Sequence, residues 1–106
     1  MSRTERRERW RLDIAGVVQG VGFRPFVYRA ATELGLDGWV ANSGGGVALE
    51  IEGAPESLTA LRDRIESDAP QGARVASVKC GAAEMRDEAG FAIRESLGGG
   101  EAGAEV

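Results

Sequence analysis

The sequence predicts an α+β sandwich in which two helices cover one face of an antiparallel sheet, and three observations lead to this prediction. Large apolar residues at positions 47, 49 and 51 alternate with Ala48, Glu50 and Glu52, at the period of a half-buried strand. Apolar residues recur at spacings of three and four over residues 26–34 and 58–65, as on one face of a helix. Glycines and prolines separate these segments. The predicted order, β-α-β-β-α-β with a short extra C-terminal strand, is that of the ferredoxin-like α/β sandwich, because right-handed crossovers place both helices on the same face of the sheet.

The first strand and the first helix are separated by a glycine-containing loop. Leu12 and Ile14 alternate with polar neighbours and indicate a strand, and residues 19–24 interrupt that pattern. The helix is predicted to begin at Pro25, because the N–H that proline lacks would have no partner in the first turn. Gly35 is the predicted C-terminal cap of this helix, since glycine adopts the left-handed conformation that ends many helices.

The remaining elements follow the same alternation of strands and helices. They are a strand over residues 36–42, a turn over 43–46, a strand from Val47, a helix that opens at residues 53–55 and ends within 67–72, a strand over 73–80, an irregular connection over 81–90, and a short strand containing Phe91 and Ile93. The apolar side chains of the third strand are predicted to face the helices. Glu50 and Glu52 are therefore expected on a solvent-facing side of the sheet.

The chain of 106 residues is long enough for one domain with one modest core. The domain is predicted over residues 10–96, and no internal repeat divides it. Residues 1–9 carry several arginines and are predicted to be a flexible basic leader. Residues 97–106 are predicted to be a flexible, glycine-rich acidic tail.

The composition excludes several kinds of catalytic and binding site. The sequence has no histidine and a single cysteine, Cys80, so it can form neither a Ser-His-Asp triad, nor a Cys-His pair, nor a zinc site of thiolates and imidazoles. No metal and no cofactor are therefore predicted. The net charge of -4 argues against nucleic acid as a partner, and no apolar run is long enough to cross a membrane. We therefore expect a soluble, cytoplasmic protein without a nucleic-acid or membrane partner.

The loop between the first strand and the first helix can bind a phosphate. Gly20 and Gly22 permit positive φ angles, so that consecutive N–H groups can point into one concavity beside a helix N-terminus. Pro25 disfavours a helical conformation at Arg24, which is therefore predicted to belong to the loop and to fold its guanidinium over the concavity. From these residues alone, an ordinary strand-to-helix turn with a surface arginine remains the alternative. Other phosphate-binding motifs do not fit, because the loop lacks the lysine of a P-loop and the third glycine of a dinucleotide fingerprint.

A longer stretch of sequence around this loop resembles the acylphosphatase family. The matching residues are Val18-Gln19-Gly20-Val21-Gly22-Phe23-Arg24, Ala30-Ala31, Leu34-Gly35-Leu36, Gly38-Trp39-Val40 and Asn42. The resemblance spans roughly residues 10–95. One departure is the turn over 43–46, where many members of the family carry an acidic residue before the last glycine. It leaves the conformation of the turn open but does not affect Arg24 or Asn42.

The resemblance implies an activity and a set of site residues. The implied activity is hydrolysis of an acyl phosphate, either a carboxyl phosphate or carbamoyl phosphate, with inorganic phosphate as a product. Arg24 and Asn42 are the implied catalytic residues, the first binding the phosphate and the second holding the attacking water. The implied phosphate-binding residues are Gln19, Gly20, Val21, Gly22, Phe23 and Arg24. By itself, Asn42 would be interpreted as a turn residue beside glycines.

Two further segments resemble a subgroup of this family. Pro25-Phe26-Val27-Tyr28 and Phe91-Ala92-Ile93-Arg94-Glu95-Ser96 are similar to the acylphosphatase-like domain at the N-terminus of the hydrogenase-maturation carbamoyltransferases. Those enzymes continue into zinc-binding cysteine pairs and a large catalytic region. The chain therefore resembles a domain taken from a larger maturation enzyme, whose remainder is an implied partner. Two functions remain open: acylphosphatase catalysis, or a non-catalytic carbamoyl-phosphate-binding or assembly module of that larger enzyme.

Four residues outside the loop are expected to have structural roles. Trp39 is predicted to pack in the core rather than to stack on a substrate, and Trp10 is predicted to cover the edge of the first strand. Cys80 is predicted to be a small buried apolar residue, because a cysteine on a strand usually packs as one. Asp13 alternates with core residues and is predicted to face solvent.

Overall fold

The computed structural model describes residues 6–96, which form two helices packed on one face of a five-stranded sheet. The elements are β1 (Glu8–Val17), α1 (Phe23–Glu33), β2 (Asp37–Ser43), β3 (Gly46–Gly53), α2 (Pro55–Ser67), β4 (Arg74–Ala82) and β5 (Phe91–Ser96). This order confirms the predicted ferredoxin-like arrangement with an extra C-terminal strand. The predicted tail over 97–106 and the first part of the predicted leader, residues 1–5, lie outside the described residues.

The first strand begins earlier than the sequence indicates. Residues 1–9 are predicted to be a flexible leader, whereas β1 begins at Glu8 and Arg9 is buried. Arg9 is ordered because it bonds carboxylates on β3, which lies far along the chain. A local run of charges does not reveal such partners, and the run is therefore easily interpreted as a solvated segment.

The strands lie in the order β4-β1-β3-β2-β5. The first four pair antiparallel, as predicted, but β5 pairs parallel with β2, so the sheet is mixed. β4 and β5 lie at opposite edges, and the connection over residues 83–90 crosses the sheet between them. It contacts β1 first, where the Ala83 N–H donates to the Arg9 carbonyl, and then β3 and β2. Because the crossing ends beside the start of β2, β5 runs in the same direction as β2.

The main core lies between the helices and the sheet. It is formed by the apolar side chains Leu12, Ile14, Val18, Phe23, Val27, Ala30, Ala31, Leu36, Val40, Val47, Leu49, Ile51, Leu58, Leu61 and Ile65. Gly35 ends α1, as predicted, with a φ of 72°. In this turn the Leu36 N–H donates to the Ala31 carbonyl at 2.9 Å. Of the helices within residues 6–96, neither is long and apolar enough to cross a membrane.

The face of the sheet opposite the helices, here called the outer face, carries a second, smaller apolar cluster. Trp39, Ala41 and Ala48 are buried there. The guanidinium carbons of Arg11 and Arg94 lie 5.7 and 4.8 Å from the centre of the Trp39 ring, at cation–π distance. Trp39 is thus a packed residue, as predicted, but it packs on the outer face and not in the main core.

The prediction that Glu50 and Glu52 face solvent is wrong. Both lie on the outer face, but Glu52 is fully buried because the connection over 83–90 covers it. Its two carboxylate oxygens accept the N–H groups of residues 86 and 87, both at 3.0 Å, and one of them also accepts Arg9 Nη1 at 2.9 Å. Glu50 is half-buried and accepts Arg9 Nε at 2.7 Å. The two glutamates therefore bind a buried arginine and the connection instead of solvating the sheet.

These contacts determine the charge states of the buried residues Arg9 and Glu52. Burial by itself acts to raise the pKa of Glu52, but the N–H groups of residues 86 and 87 and the Arg9 guanidinium favour the carboxylate and hold its pKa below the usual value. Burial acts to lower the pKa of Arg9, and its bonds to Glu50 and Glu52 outweigh that effect and raise it. Both partners are therefore charged at neutral pH, and removing one would leave an uncompensated buried charge.

Three further predictions have different outcomes. Cys80 is exposed, so the prediction of a buried residue is wrong; it lies on β4, an edge strand with much of its surface uncovered. Asp13 faces solvent as predicted, with 49% of its side chain exposed, and accepts a bond from Arg11. Trp10 packs against the main core. It has no edge to cover, because β1 lies inside the sheet between β4 and β3.

Glu52 generates a prediction about stability in acid. A carboxyl group whose pKa is lowered on folding contributes stability that is present above its unfolded pKa and is lost as the pH falls through the folded value. We therefore expect the free energy of unfolding to decrease as the pH falls below about 4.3, the ordinary pKa of glutamate. Glu52→Gln should lower the stability at neutral pH and make this acid decline shallower.

Urea denaturation at neutral pH and through the acid range measures both effects. Glu66→Gln is the matched control, because Glu66 is exposed on α2, and this variant should follow the wild type. An acid decline as steep in Glu52→Gln as in the wild type would contradict the role given to Glu52.

Candidate active site

The loop over residues 19–22 joins two buried residues. Val18 and Phe23 are each 1% exposed and belong to the main core, so the chain must turn from β1 into α1 within the residues between them. Gly20 and Gly22 make this turn with φ angles of 77° and 80°, a conformation that residues with side chains disfavour. A β-carbon at either glycine would meet no atom within 4 Å. The backbone angle, and not a lack of space, therefore requires glycine here.

The main-chain N–H groups of residues 20–24 lie in this turn and at the start of α1. Within the described part of the chain, none of them donates a hydrogen bond to another main-chain or side-chain group. Gly22 is the N-cap of α1 and has no side chain to bond the first turn. Free N–H groups at a helix N-terminus, together with the positive end of the helix dipole, can bind an anion.

Arg24 belongs to α1 and not to the loop, contrary to the sequence prediction. The helix begins at Phe23, so Arg24 is its second residue and Pro25 its third. A proline is tolerated there because the N–H groups of the first turn have no helical acceptor. The burial of Phe23 and Val27 fixes the start of the helix, and this packing outweighs the preference of a residue before proline for an extended conformation.

The guanidinium of Arg24 is bound to β5. Its Nη1 donates to the carbonyl oxygens of Arg94 and Glu95 at 2.7 and 3.3 Å. Its Nε and Nη2 have no acceptor among residues 6–96. These two nitrogens form one edge of the planar guanidinium, which can bind two oxygens of a phosphate in parallel. β5 therefore orients Arg24 and leaves a bidentate edge available.

Gln19 connects the loop to the turn between β2 and β3. Its Nε2 donates to the carbonyl oxygens of Gly44 and Gly46 at 2.9 and 2.7 Å. The sequence places Gln19 among the phosphate-binding residues, whereas the amide nitrogen of its side chain is engaged by the turn. The Gln19 side chain therefore holds the loop close to the end of β2.

Asn42 lies near the end of β2, on the side of the sheet that the helices cover. It pairs with Val47, a main-core residue of β3, and residues paired across antiparallel strands point to the same side. On the other side of β2, Asn42 pairs with Ser96 of β5, next to a shift in the register of that pairing. The side chain is half-buried, and within residues 6–96 it forms no hydrogen bond. Its carboxamide is therefore free to bind a ligand.

The elements that carry the predicted site residues meet at one end of the sheet, where β1, β2 and β5 end and α1 begins. Arg24 bonds the end of β5, and Asn42 pairs with the same end. Val21 packs against the main core and Phe23 belongs to it, so these two can contribute only main-chain N–H groups. The arrangement can hold a tetrahedral anion on main-chain N–H groups and an arginine, with an amide side chain nearby.

Sequence reasoning missed the groups that orient this site. The carbonyl oxygens of Arg94 and Glu95 hold Arg24, and those of Gly44 and Gly46 hold Gln19. Every residue carries a main-chain carbonyl, so no residue type or spacing marks the ones that act here. The sequence indicated one of these contacts only indirectly, through Gln19, whose amide can donate hydrogen bonds, and through the glycine-rich turn over 43–46, whose carbonyl groups can accept them.

Comparison with known proteins assigns the chain to a family. The acylphosphatase family model matches residues 10–93, and the chain belongs to the acylphosphatase family. Over 97 residues it is 53% identical to the carbamoyltransferase HypF2 of Cupriavidus necator, in an alignment that covers 89% of this chain and 12% of that protein. The chain therefore spans only a small part of the length of this relative.

Solved structures agree with this assignment. The fold matches full-length HypF in its phosphate- and nucleotide-bound form with a TM-score of 0.87 and 30% identity, over 93% of this chain and 13% of that one. It matches an acylphosphatase from Coxiella burnetii with a TM-score of 0.78 and 32% identity, over 83% of this chain and 93% of that one. The predicted resemblance to the acylphosphatase-like domain of the carbamoyltransferases is confirmed.

The loop generates a prediction about its second glycine. Gly22→Ala places a β-carbon on a left-handed residue, which costs roughly 1–2 kcal/mol. We expect the free energy of unfolding to fall by that amount, because no neighbouring atom adds a clash.

Urea denaturation of Gly22→Ala beside Gly45→Ala checks this. Gly45 lies in the β2–β3 turn with equal free space but without a left-handed φ, so its substitution should change the stability by less than about 0.5 kcal/mol. Equal losses in the two variants would show that the φ angle of Gly22 is not the cause.

Proposed function

We propose that this domain hydrolyses acyl phosphates, either carboxyl phosphates or carbamoyl phosphate, to release inorganic phosphate. The observation that carries the proposal is the set of N–H groups over residues 20–24 that have no acceptor among residues 6–96, at the end of the sheet where Arg24 and Asn42 also lie. Membership of the acylphosphatase family supports it. The reaction requires positioning and charge stabilisation more than covalent catalysis, which suits a chain without histidine.

The phosphoryl group would supply the acceptors that the loop lacks. The N–H groups of residues 20–24 donate to its oxygens, and Nε and Nη2 of Arg24 bind two of them. Negative charge on these oxygens is stabilised in the transition state by donors that are in place before the substrate arrives. The bonds from Nη1 to β5 already restrict the side chain of Arg24, so less conformational entropy is lost on binding.

Asn42 would orient the attacking water. Its carboxamide offers an acceptor for a water proton and two donor hydrogens. The water oxygen attacks phosphorus in line with the leaving oxygen, and the bond between phosphorus and that oxygen breaks. The electron pair leaves with the carboxylate or carbamate. The water proton passes to a phosphoryl oxygen of the substrate, so that no separate general base is needed.

A second candidate function is a non-catalytic carbamoyl-phosphate-binding or assembly module of a larger maturation enzyme. The observation that favours it is the 53% identity to a carbamoyltransferase of which the chain spans 12%. Both candidates use the same loop to bind phosphate. They differ in whether the bound acyl phosphate is hydrolysed by this domain.

Substitutions at Arg24 and Asn42 test the catalytic proposal. We expect Arg24→Ala and Asn42→Ala each to lower kcat for benzoyl phosphate by roughly 100- to 1,000-fold, because each removes a donor that is positioned before the reaction. Both variants should keep the fold, since neither side chain belongs to the main core. Steady-state kinetics measures the first effect and far-ultraviolet circular dichroism the second.

The matched controls are Arg29→Ala and Ser43→Ala. Arg29→Ala removes the same charge from an exposed position further along α1, and Ser43→Ala changes the residue next to Asn42. Both should retain the kcat of the wild type. Wild-type turnover in Arg24→Ala or in Asn42→Ala would refute the role given to that residue.

Carbamoyl phosphate distinguishes the two candidate functions. We expect inorganic phosphate to shift the NMR signals of the amides of residues 20–24, and we expect the wild-type domain to convert carbamoyl phosphate to phosphate. Phosphate release measures the conversion, with Arg24→Ala as the blank. Phosphate binding at the loop without turnover of carbamoyl or benzoyl phosphate would instead support the binding module.

A further inference from the structure

The position of β5, the strand that orients Arg24, is fixed by contacts at its first residues. It is an edge strand beside β2, and its residues from Ala92 onward are exposed. At its start, the Gly38 N–H donates to the Gly90 carbonyl at 2.9 Å. The Gly90 N–H donates to Asp37 Oδ1 at 2.8 Å. A side chain on β2 therefore fixes the residue that immediately precedes β5.

Asp37 is part of a charged group that fixes the whole connection leading into β5. Arg7 Nη2 lies 2.9 Å from Asp37 Oδ2 and 3.6 Å from Glu52 Oε2, and so joins the two carboxylates. Together these carboxylates accept the N–H groups of residues 86, 87 and 90. The connection over 83–90 has no regular secondary structure and therefore lacks the repeating main-chain hydrogen bonds of a helix or strand. The bonds to the two carboxylates hold it in place instead.

The register set at the start of β5 determines which groups reach Arg24. The parallel pairing with β2 keeps one register from Gly38 with Phe91 to Ala41 with Arg94, and then shifts so that Asn42 pairs with Ser96. At about 3.3 Å per residue, the start of β5 at Phe91 lies roughly 10–13 Å from residues 94 and 95. A slip of one residue reverses the side to which each group of a strand points, and Arg24 would then lose its acceptors.

We propose that Asp37 is a positioning residue for Arg24. Asp37 fixes where β5 begins, the carbonyl groups at the end of β5 hold Nη1 of Arg24, and the opposite edge of the guanidinium is thereby directed to the phosphate. Among residues 6–96, the Asp37 side chain bonds Arg7 and Gly90 and does not contact Arg24, so its effect on Arg24 is indirect. The inference rests on the proposed phosphate site, but inorganic phosphate alone is a sufficient probe for it.

Asp37→Ala provides the test. We expect the Kd for inorganic phosphate, measured by NMR titration, to rise roughly fivefold to tenfold, within the range of coupling between residues of one network. KM for benzoyl phosphate should rise more than kcat falls. Asp37→Asn keeps an oxygen for the Gly90 N–H and should restore most of the affinity, although it loses the ion pair with Arg7.

A double variant separates positioning from a general loss of stability. If Asp37 acts through Arg24, adding Asp37→Ala to Arg24→Ala should cause no further rise in the Kd for phosphate. Arg7→Ala, at a side chain that is 40% exposed, is a milder change to the same group and should raise the Kd by a smaller factor. Asp13→Ala is the matched control, because Asp13 pairs with Arg11 on the surface, away from the connection, and its removal should leave the Kd unchanged.

The outcomes separate this inference from the proposed function. A wild-type Kd in Asp37→Ala, or an equal rise in Kd with and without Arg24, would overturn the positioning role even if the domain is catalytic. Coupled phosphate binding together with no turnover in the wild type would overturn the proposed hydrolysis and support the positioning role. A failure of Asp37→Asn to recover affinity would refute the assigned bond to Gly90.

Discussion

The burial of Val18 and Phe23 on either side of the loop is the constraint on which the site depends. Both side chains belong to the main core, so the chain has only residues 19–22 in which to turn from a strand into a helix. A turn this short requires left-handed glycines, and its main-chain N–H groups have no acceptor within the part of the chain that the structure describes. Such donors at a helix N-terminus can be satisfied by an anion. The packing of the core therefore exposes main-chain N–H groups in the loop that can bind an anion.

Two strands that follow the loop complete the site, and they are held by different means. The end of β2 is tied to the loop by Gln19, through the turn between β2 and β3. The end of β5 holds Arg24, and β5 is itself placed by carboxylates at the opposite end of the sheet. The charged group on the outer face therefore has two consequences. It stabilises the crossing over residues 83–90, and it orients a strand that contributes to the site.

The sequence and the structure agree where a residue's environment follows from its neighbours. The apolar faces of the two helices and the alternation of inward and outward side chains along β3 depend on local periodicity, and the sequence predicted both. Glu52 was not, because its burial depends on a connection that arrives from the far edge of the sheet. Cys80 was not, because the exposure of a strand depends on its place in the sheet order. Trp39 is buried as expected, but which face buries it depends on arginines from two other strands.

The sequence by itself determined the order of the elements, the glycines of the loop and membership of the family, and it singled out the two side chains that we propose for catalysis. The order of the elements follows from local periodicity. The family and the proposed side chains follow from the motif over residues 18–24 and from the matching segments after it. Only the tertiary structure decided that Arg24 lies in the first turn of a helix and is oriented by β5, that β5 runs parallel to β2, and that Gln19 binds the hairpin turn. Core packing sets the start of the helix. The other features depend on main-chain groups distant in sequence, and a main-chain carbonyl is the same chemical group at every residue, so that only the fold selects which ones meet.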